Sequence, residues 1–196
     1  MASLAEIRGS IASRITNPLV GALSKSGLTP NALTFIGLAI NIGAAYLVAT
    51  NHFLWGGILI LLSGLFDLLD GALARFSSQA TRFGAILDST VDRISEAAIF
   101  CALLICYVPK GATVEVWLIS PLMINRLLVS YIKARGEGLG LECRIGLFTR
   151  AERVIVLAIG LLVNQVLIAL WILVPLVYIT VIQRLLYLRK QGKTVR

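Results

Sequence analysis

The sequence predicts an all-α integral membrane protein, with six transmembrane helices and an N-terminal amphipathic helix lying in the interface. Three observations predict it. Of 196 residues, 58% are hydrophobic and only 14% are charged, too few to clothe a soluble core of this size. Several apolar runs reach the ~20 helical residues that cross a bilayer. Lysine and arginine fall almost entirely on one side of the resulting map. Residues 1–196 are read as one membrane domain, with the interfacial helix over 1–15 and the six-helix bundle over 30–188.

The elements follow in order. Leu4, Ile7, Ile11 and Ile15 recur at helical spacing with Glu6, Arg8, Ser10 and Arg14 between them, the pattern of a helix lying on a membrane. A secretory leader would need a basic start, an apolar core and a small-residue cleavage site, and none is present. The first span covers roughly 30–50, opened by Thr29 as N-cap and Pro30 at the first helical position. The second covers roughly 54–75 and the third roughly 82–107. The fourth covers roughly 114–134 with Pro121 near its start, and the fifth, a short one, roughly 150–164. The sixth covers roughly 166–188 and carries Pro175, where a kink is expected.

The turns after spans one, three and five hold one cation, Lys110, whereas the opposite side holds Arg75, Arg82, Lys133, Arg135, Arg150, Arg153 and others. The positive-inside rule then puts both termini and the even loops in the cytoplasm. The net charge of +8 is thereby explained by orientation, and nucleic acid is not called for. Cys101, Cys106 and Cys143 lack metal-type spacing and are expected to be reduced packing residues. His52 stands alone near the outer face as an ordinary interfacial residue.

All four aspartates lie between positions 67 and 92: Asp67, Asp70, Asp88 and Asp92. A charged carboxylate at bilayer depth costs at least ~2.5 kcal/mol, so the four require a cavity, a bound cation or an arginine. Asp67 and Asp70 are three apart, and Asp88 and Asp92 four apart, so each pair shares a helix face. The short 76–82 loop makes spans two and three antiparallel neighbours, and counting from Arg75 and Arg82 puts Asp67 and Asp92 both ~12–15 Å from the cytoplasmic end, so the two pairs can face each other. Gly71 and Gly84 beside them permit close approach of a ligand or helix. Hard oxygen donors suit Mg²⁺ or Mn²⁺. The plainer reading is a helix pair held by ion pairs such as Asp70 with Arg75.

Asp67, Asp70, Gly71, Ala74, Arg75, Gly84, Asp88 and Asp92 spell D-x-x-D-G-x-x-A-R-(x)8-G-x-x-x-D-x-x-x-D. This resembles the complete signature of the CDP-alcohol phosphotransferase family, and the six-span layout extends the resemblance over nearly the whole chain. It implies that Asp67, Asp70 and Asp88 hold two divalent ions, with Asp92 joining as a ligand in some states. It implies a CDP-lipid site shaped by Gly71, Arg75, Gly84, Thr81, Pro30 and Asn31 together with Asp67, Asp70 and Asp88. It also implies that Asp92 is the base for the acceptor hydroxyl, that the β-phosphorus is attacked and CMP leaves, and that the protein is a homodimer in the cell membrane with its site facing the cytoplasm.

Ser130, Lys133, Arg153 and Arg184 come from three helices at one membrane face. Alone, each cation is a side chain snorkelling to headgroups. The strings Ser130–Arg135, Arg150–Arg153 and Gln183-Arg184 resemble segments of those family members that use inositol 1-phosphate to make phosphatidylinositol phosphate or its archaeol analogue. That resemblance implies that the four residues hold the acceptor's phosphate. Arg126 departs from the pattern, which has a small residue there; it either joins the acceptor site or pairs with an acid such as Glu96. Two other readings stand beside this one: the same chemistry on glycerol 3-phosphate or another alcohol, and a cation transporter with the aspartates as its ion path.

Overall fold

The computed structural model describes residues 19–21, 23–24, 27–77, 79–143, 145–146 and 149–194, the last two without side chains. The interfacial helix expected over 1–15 lies outside the described residues. From Pro30 onward, six α-helices follow one another among the described residues: α1 Pro30–Ala49, α2 Phe53–Phe76, α3 Arg82–Tyr107, α4 Thr113–Gly138, α5 Arg150–Leu162 and α6 Val166–Thr194, with a 3-10 turn at Val108–Lys110 before α4. Among the described residues there is no strand. Four helices, α1, α2, α4 and α6, are long and apolar enough to cross a membrane. Of the other two, α3 carries Arg82, Asp88, Asp92, Arg93 and Glu96, and α5 has 13 residues.

Local chemistry accounts for the helix starts. Thr29 is extended (φ −85°, ψ 152°) and accepts from the Ala32 N–H, with Pro30 in the first turn. Thr81 likewise accepts from the Gly84 N–H at 2.9 Å. Thr149 opens α5 with a capping box, and the Glu152 carboxylate returns to the Thr149 N–H at 2.6 Å. The α1–α2 and α5–α6 turns contain Asn51 (φ 67°) and Asn164 (φ 54°), left-handed positions that asparagine tolerates. Pro121 and Pro175 lie inside α4 and α6, both of which run through them.

The close-packed pairs are α1–α2, α1–α3, α2–α5, α3–α4, α4–α6 and α5–α6. Spans two and three, expected to be antiparallel neighbours, both pack against α1, and carboxylates from the two helices converge. Facing like-charged carboxylates need neutralisation, so each helix packs more closely on α1 than on the other.

The main core gathers Phe100, Leu103, Ile119, Leu122, Leu170 and Leu173 with their neighbours. A smaller cluster of Val20, Leu33, Leu69 and Leu73 lies where α1 meets α2. Ser63 on α2 donates to the Gly37 carbonyl of α1 at 2.9 Å, a buried polar tie between the two helices. None of the cysteines is in a disulfide; Cys106 and Cys143 are buried, whereas Cys101 is exposed rather than packed.

The α5–α6 hairpin is tight because Gly160 has no side chain. A Cβ there would lie 2.4 Å from the Ala169 Cβ. Gly160→Ala is therefore expected to destabilise the protein by about 1–3 kcal/mol, read as a lower thermal midpoint in detergent. Adding Ala169→Gly should restore much of it.

Candidate functional site

Asp67 and Asp70 stand on α2 and Asp88 and Asp92 on α3, at the ends where the two helices approach the 77–81 connection. One carboxylate oxygen from each of Asp67, Asp70 and Asp88 lies within 4.8 Å of the others. The sequence expectation that the two pairs converge is met for these three. Asp70 is the most enclosed, 4% exposed, and its Oδ2 accepts from the Thr34 hydroxyl of α1 at 2.6 Å. Three hard anionic oxygens on rigid helices, one oriented by a second-layer hydroxyl, fit Mg²⁺ or Mn²⁺.

Asp92 is not one of the three oxygens that lie within 4.8 Å of one another, but it meets Asp67 across a shared arginine. Its Oδ1 lies 2.7 Å from Nη1 of Arg150, and the same nitrogen donates to Asp67 Oδ2 at 2.5 Å. Arg150, in the first turn of α5, thus bridges α2 and α3. The Asp70–Arg75 pairing considered above is not the arrangement found: the ion pairs of this cluster run through Asp67, Asp92 and Arg150.

A cavity of about 200 Å³ opens on one side of the trio. It is lined by eight of the nine residues expected to shape the CDP-lipid site: all but Asp67. Pro30 and Asn31 bring the N-terminus of α1 to it, and Thr81 and Gly84 bring that of α3. Unpaired N–H groups at helix N-termini favour phosphate oxygens. Gly84 is constrained here, because a Cβ would come 3.0 Å from Thr81 Oγ1 and 3.4 Å from Asn31 Oδ1. On the other side of Asp67 lies a larger cavity of about 480 Å³. Its walls include Ile60, Leu61, Leu68 and Ile155, and Asp67, Glu96, Arg126 and Arg150 also line it.

The four residues expected at the acceptor phosphate are brought together only in part. Arg184 Nη1 donates to the Val129 carbonyl at 2.5 Å, and its Nε to the Ile145 carbonyl at 3.2 Å. Arg184 therefore sits against the turn of α4 that carries half-buried Ser130. Arg153 is buried and within electrostatic reach of Arg184. Lys133 is exposed and lies 3.7 Å from Glu137, one turn along its own helix. Arg126, left open by the sequence, pairs with Glu96 at 2.9 Å and lies over the Phe100 ring at 4.8 Å from its centre.

Sequence reasoning missed Thr34 and Arg150 as site residues. The need to compensate four intramembrane carboxylates was the signal for Arg150, which was counted only as an orienting charge and a motif member. Thr34 is one turn after Pro30 in an apolar helix, and a lone hydroxyl there is a weaker signal.

The fold and site define a multi-pass helical membrane protein with an acidic, metal-suited centre beside a phosphate-suited cavity. The pattern of the CDP-alcohol phosphatidyltransferase family matches residues 27–183, and the chain belongs to that family. It is 39% identical over 181 residues to the phosphatidylinositol phosphate synthase of Mycobacteroides abscessus, covering 88% of this chain and 82% of that one. It is 36% identical over 182 residues to the protein of that name from Corynebacterium glutamicum, covering 87% and 82%. The crystal structure of Mycobacterium tuberculosis phosphatidylinositol phosphate synthase with CDP-DAG bound superposes with a TM-score of 0.79 at 34% identity, over 89% of this chain and 94% of that one. The same enzyme in complex with manganese and citrate gives 0.79 at 33% identity, over 88% of each. Family membership sets the transporter reading aside.

Proposed function

We propose that the chain transfers a phosphatidyl-type group from a CDP-lipid to inositol 1-phosphate, giving phosphatidylinositol phosphate and CMP. The observation that carries this reading is the convergence of Asp67, Asp70 and Asp88 at the edge of the cavity shared by Pro30, Arg75, Thr81 and Gly84. The relatives' names supply the acceptor. On this reading the cytidine nucleotide enters the 200 Å³ cavity with its pyrophosphate turned toward the three carboxylates. Two divalent cations, Mg²⁺ or Mn²⁺, held there would neutralise the pyrophosphate and stabilise the departing phosphate. The lipid tails follow the apolar walls of the 480 Å³ cavity. Asp92, steadied by Arg150, takes the proton of the acceptor hydroxyl. The freed oxygen forms a bond to the β-phosphorus as the bond between that phosphorus and the bridging oxygen breaks, and CMP leaves with that oxygen.

The same reading makes all six helices transmembrane, with the site and both termini cytoplasmic and the chain a homodimer. Exposed aromatics support the membrane placement. Tyr46, Trp55, Trp117 and Trp171 lie near the α1 C-terminus and the α2, α4 and α6 N-termini, and Phe76, Phe83 and Tyr131 lie toward the opposite ends. Aromatic girdles of this kind mark the two interfaces of a bilayer. The one-sided Lys and Arg supports the orientation, and family resemblance supports the dimer.

The test is labelled CDP-diacylglycerol offered with a panel of alcohols and alcohol phosphates, with products identified by mass. Inositol 1-phosphate is expected to be the best acceptor and free inositol a poor one; glycerol 3-phosphate winning would change the acceptor and keep the chemistry. Lys133→Ala, Arg153→Ala and Arg184→Ala should each raise the acceptor KM about tenfold to a hundredfold, the range of a lost charge-assisted bond. The CDP-lipid KM should stay nearly constant. Three silent variants would make these cations headgroup anchors and remove the acceptor assignment.

A further inference from the structure

Glu96 is the half-buried acid for which the transfer reaction has no use so far. It stands one turn beyond Asp92 on α3, so the two project from the same face. Its Oε1 is 2.9 Å from Nη2 of Arg126, 3.8 Å from Nη2 of Arg153 and 3.9 Å from Nε of Arg150. A single carboxylate oxygen therefore meets guanidinium groups from α4 and from two positions of α5. One of them, Arg150, holds Asp67 and Asp92; another, Arg153, belongs to the proposed acceptor cluster.

An ordinary structural ion pair would match one cation with one anion. Arg150 is already matched by Asp67 and Asp92. Glu96 then faces Arg126 and Arg153, with Arg184 in electrostatic reach of the latter. Glu96 is thus the carboxylate at which the Arg126 and Arg153 guanidiniums meet. The buried Nε of Arg126 has no hydrogen-bond acceptor among the described residues.

We propose that Glu96 is a positioning residue for the acceptor. It holds the Arg153 guanidinium on the side of the catalytic aspartates, so the acceptor's phosphate is met where its hydroxyl reaches Asp92. The inference rests on the acceptor reading of Arg153 given above. It differs from that reading in assigning the placement of Arg153 to a residue that does not touch substrate.

The experiment is steady-state kinetics on the full chain with CDP-diacylglycerol and inositol 1-phosphate, for wild type, Glu96→Gln, Glu96→Asp, Arg153→Ala and the Glu96→Gln/Arg153→Ala double variant. Residues in one charge network couple strongly, so Glu96→Gln is expected to raise the acceptor KM about tenfold. Its kcat should stay within about threefold and the CDP-lipid KM should not move. Glu96→Asp should recover part of the loss. The double variant should be no worse than Arg153→Ala, because Glu96 acts through Arg153. Effects that multiply, or an unchanged acceptor KM in Glu96→Gln, would overturn the proposal. An inert Arg153→Ala would overturn the acceptor reading and this inference with it, whereas an impaired Arg153→Ala beside a normal Glu96→Gln would overturn this inference alone. Should Glu96→Gln fail to fold with Arg126 left buried, Glu96→Gln/Arg126→Leu removes the unmatched charge and still takes the Glu96 contact from Arg153. Wild-type acceptor KM in that variant overturns the proposal equally.

Discussion

Replacing Asp67, Asp70 or Asp88 by asparagine is expected to abolish CMP release and divalent-cation binding together, while the protein still inserts and purifies as the wild type does. Asparagine keeps the shape of aspartate and removes its charge, so packing is nearly conserved. What changes is the ability of three oxygens within 4.8 Å of one another to share a cation. Loss of a residue that merely supports a ligand typically costs about 10–100-fold in metal affinity or activity, and loss of the ligand itself should exceed that. The three variants are not equivalent. Asp67→Asn also removes the charge that faces Arg150, and Asp70→Asn weakens the acceptor of the bond from Thr34. Asp88 has neither partner among the described residues, so Asp88→Asn is the cleanest probe of the metal site. Mn²⁺ titration followed by electron paramagnetic resonance reads binding without turnover. Activity retained in any two of the three would sink the assignment.

The sequence made the helices legible because their starts are written in local chemistry. Thr29 with Pro30, Thr81 with Gly84 and Thr149 with Glu152 each satisfy N–H groups within three residues. The acidic pairs were legible for the same reason, since three- and four-residue spacings fix a shared face without any knowledge of the rest of the chain. Contacts between helices were not. A five-residue connection showed that α2 and α3 are close, yet each packs mainly against α1. Arg150 lies 83 residues from Asp67, and Arg126 lies 30 from Glu96. No periodicity links such positions. Charge neutrality said that intramembrane carboxylates need cations, but only the packing of α2 against α5 and of α3 against α4 says which cations. Lys133 shows the converse: sequence resemblance puts it with Arg153 and Arg184, while its nearest charge is Glu137 on its own helix.

Asp92→Asn is expected to lower kcat on the order of 10²–10⁴-fold, the usual contribution of a general base, and to leave CDP-lipid affinity within a few-fold of wild type. Asp92 lies outside the group of three oxygens within 4.8 Å of one another, and its Oδ1 is 2.7 Å from the Arg150 nitrogen it shares with Asp67. A carboxylate has two oxygens and about four lone-pair sites, so one oxygen can stay on the guanidinium while the other meets the acceptor hydroxyl. Asparagine preserves the first half of that arrangement. Its amide oxygen can still accept from Arg150, and the side chain keeps its place. It removes the second half, because an amide does not take a proton from an alcohol near neutral pH. A defect confined to the transition state lowers kcat and kcat/KM together and leaves ground-state binding alone. Equilibrium binding of labelled CDP-diacylglycerol gives the affinity, and single-turnover CMP release gives the chemical step. If affinity for CDP-lipid falls as far as the single-turnover rate, or falls while that rate holds, Asp92 is a ligand of the nucleotide site rather than the base, and Arg150 serves to hold that ligand.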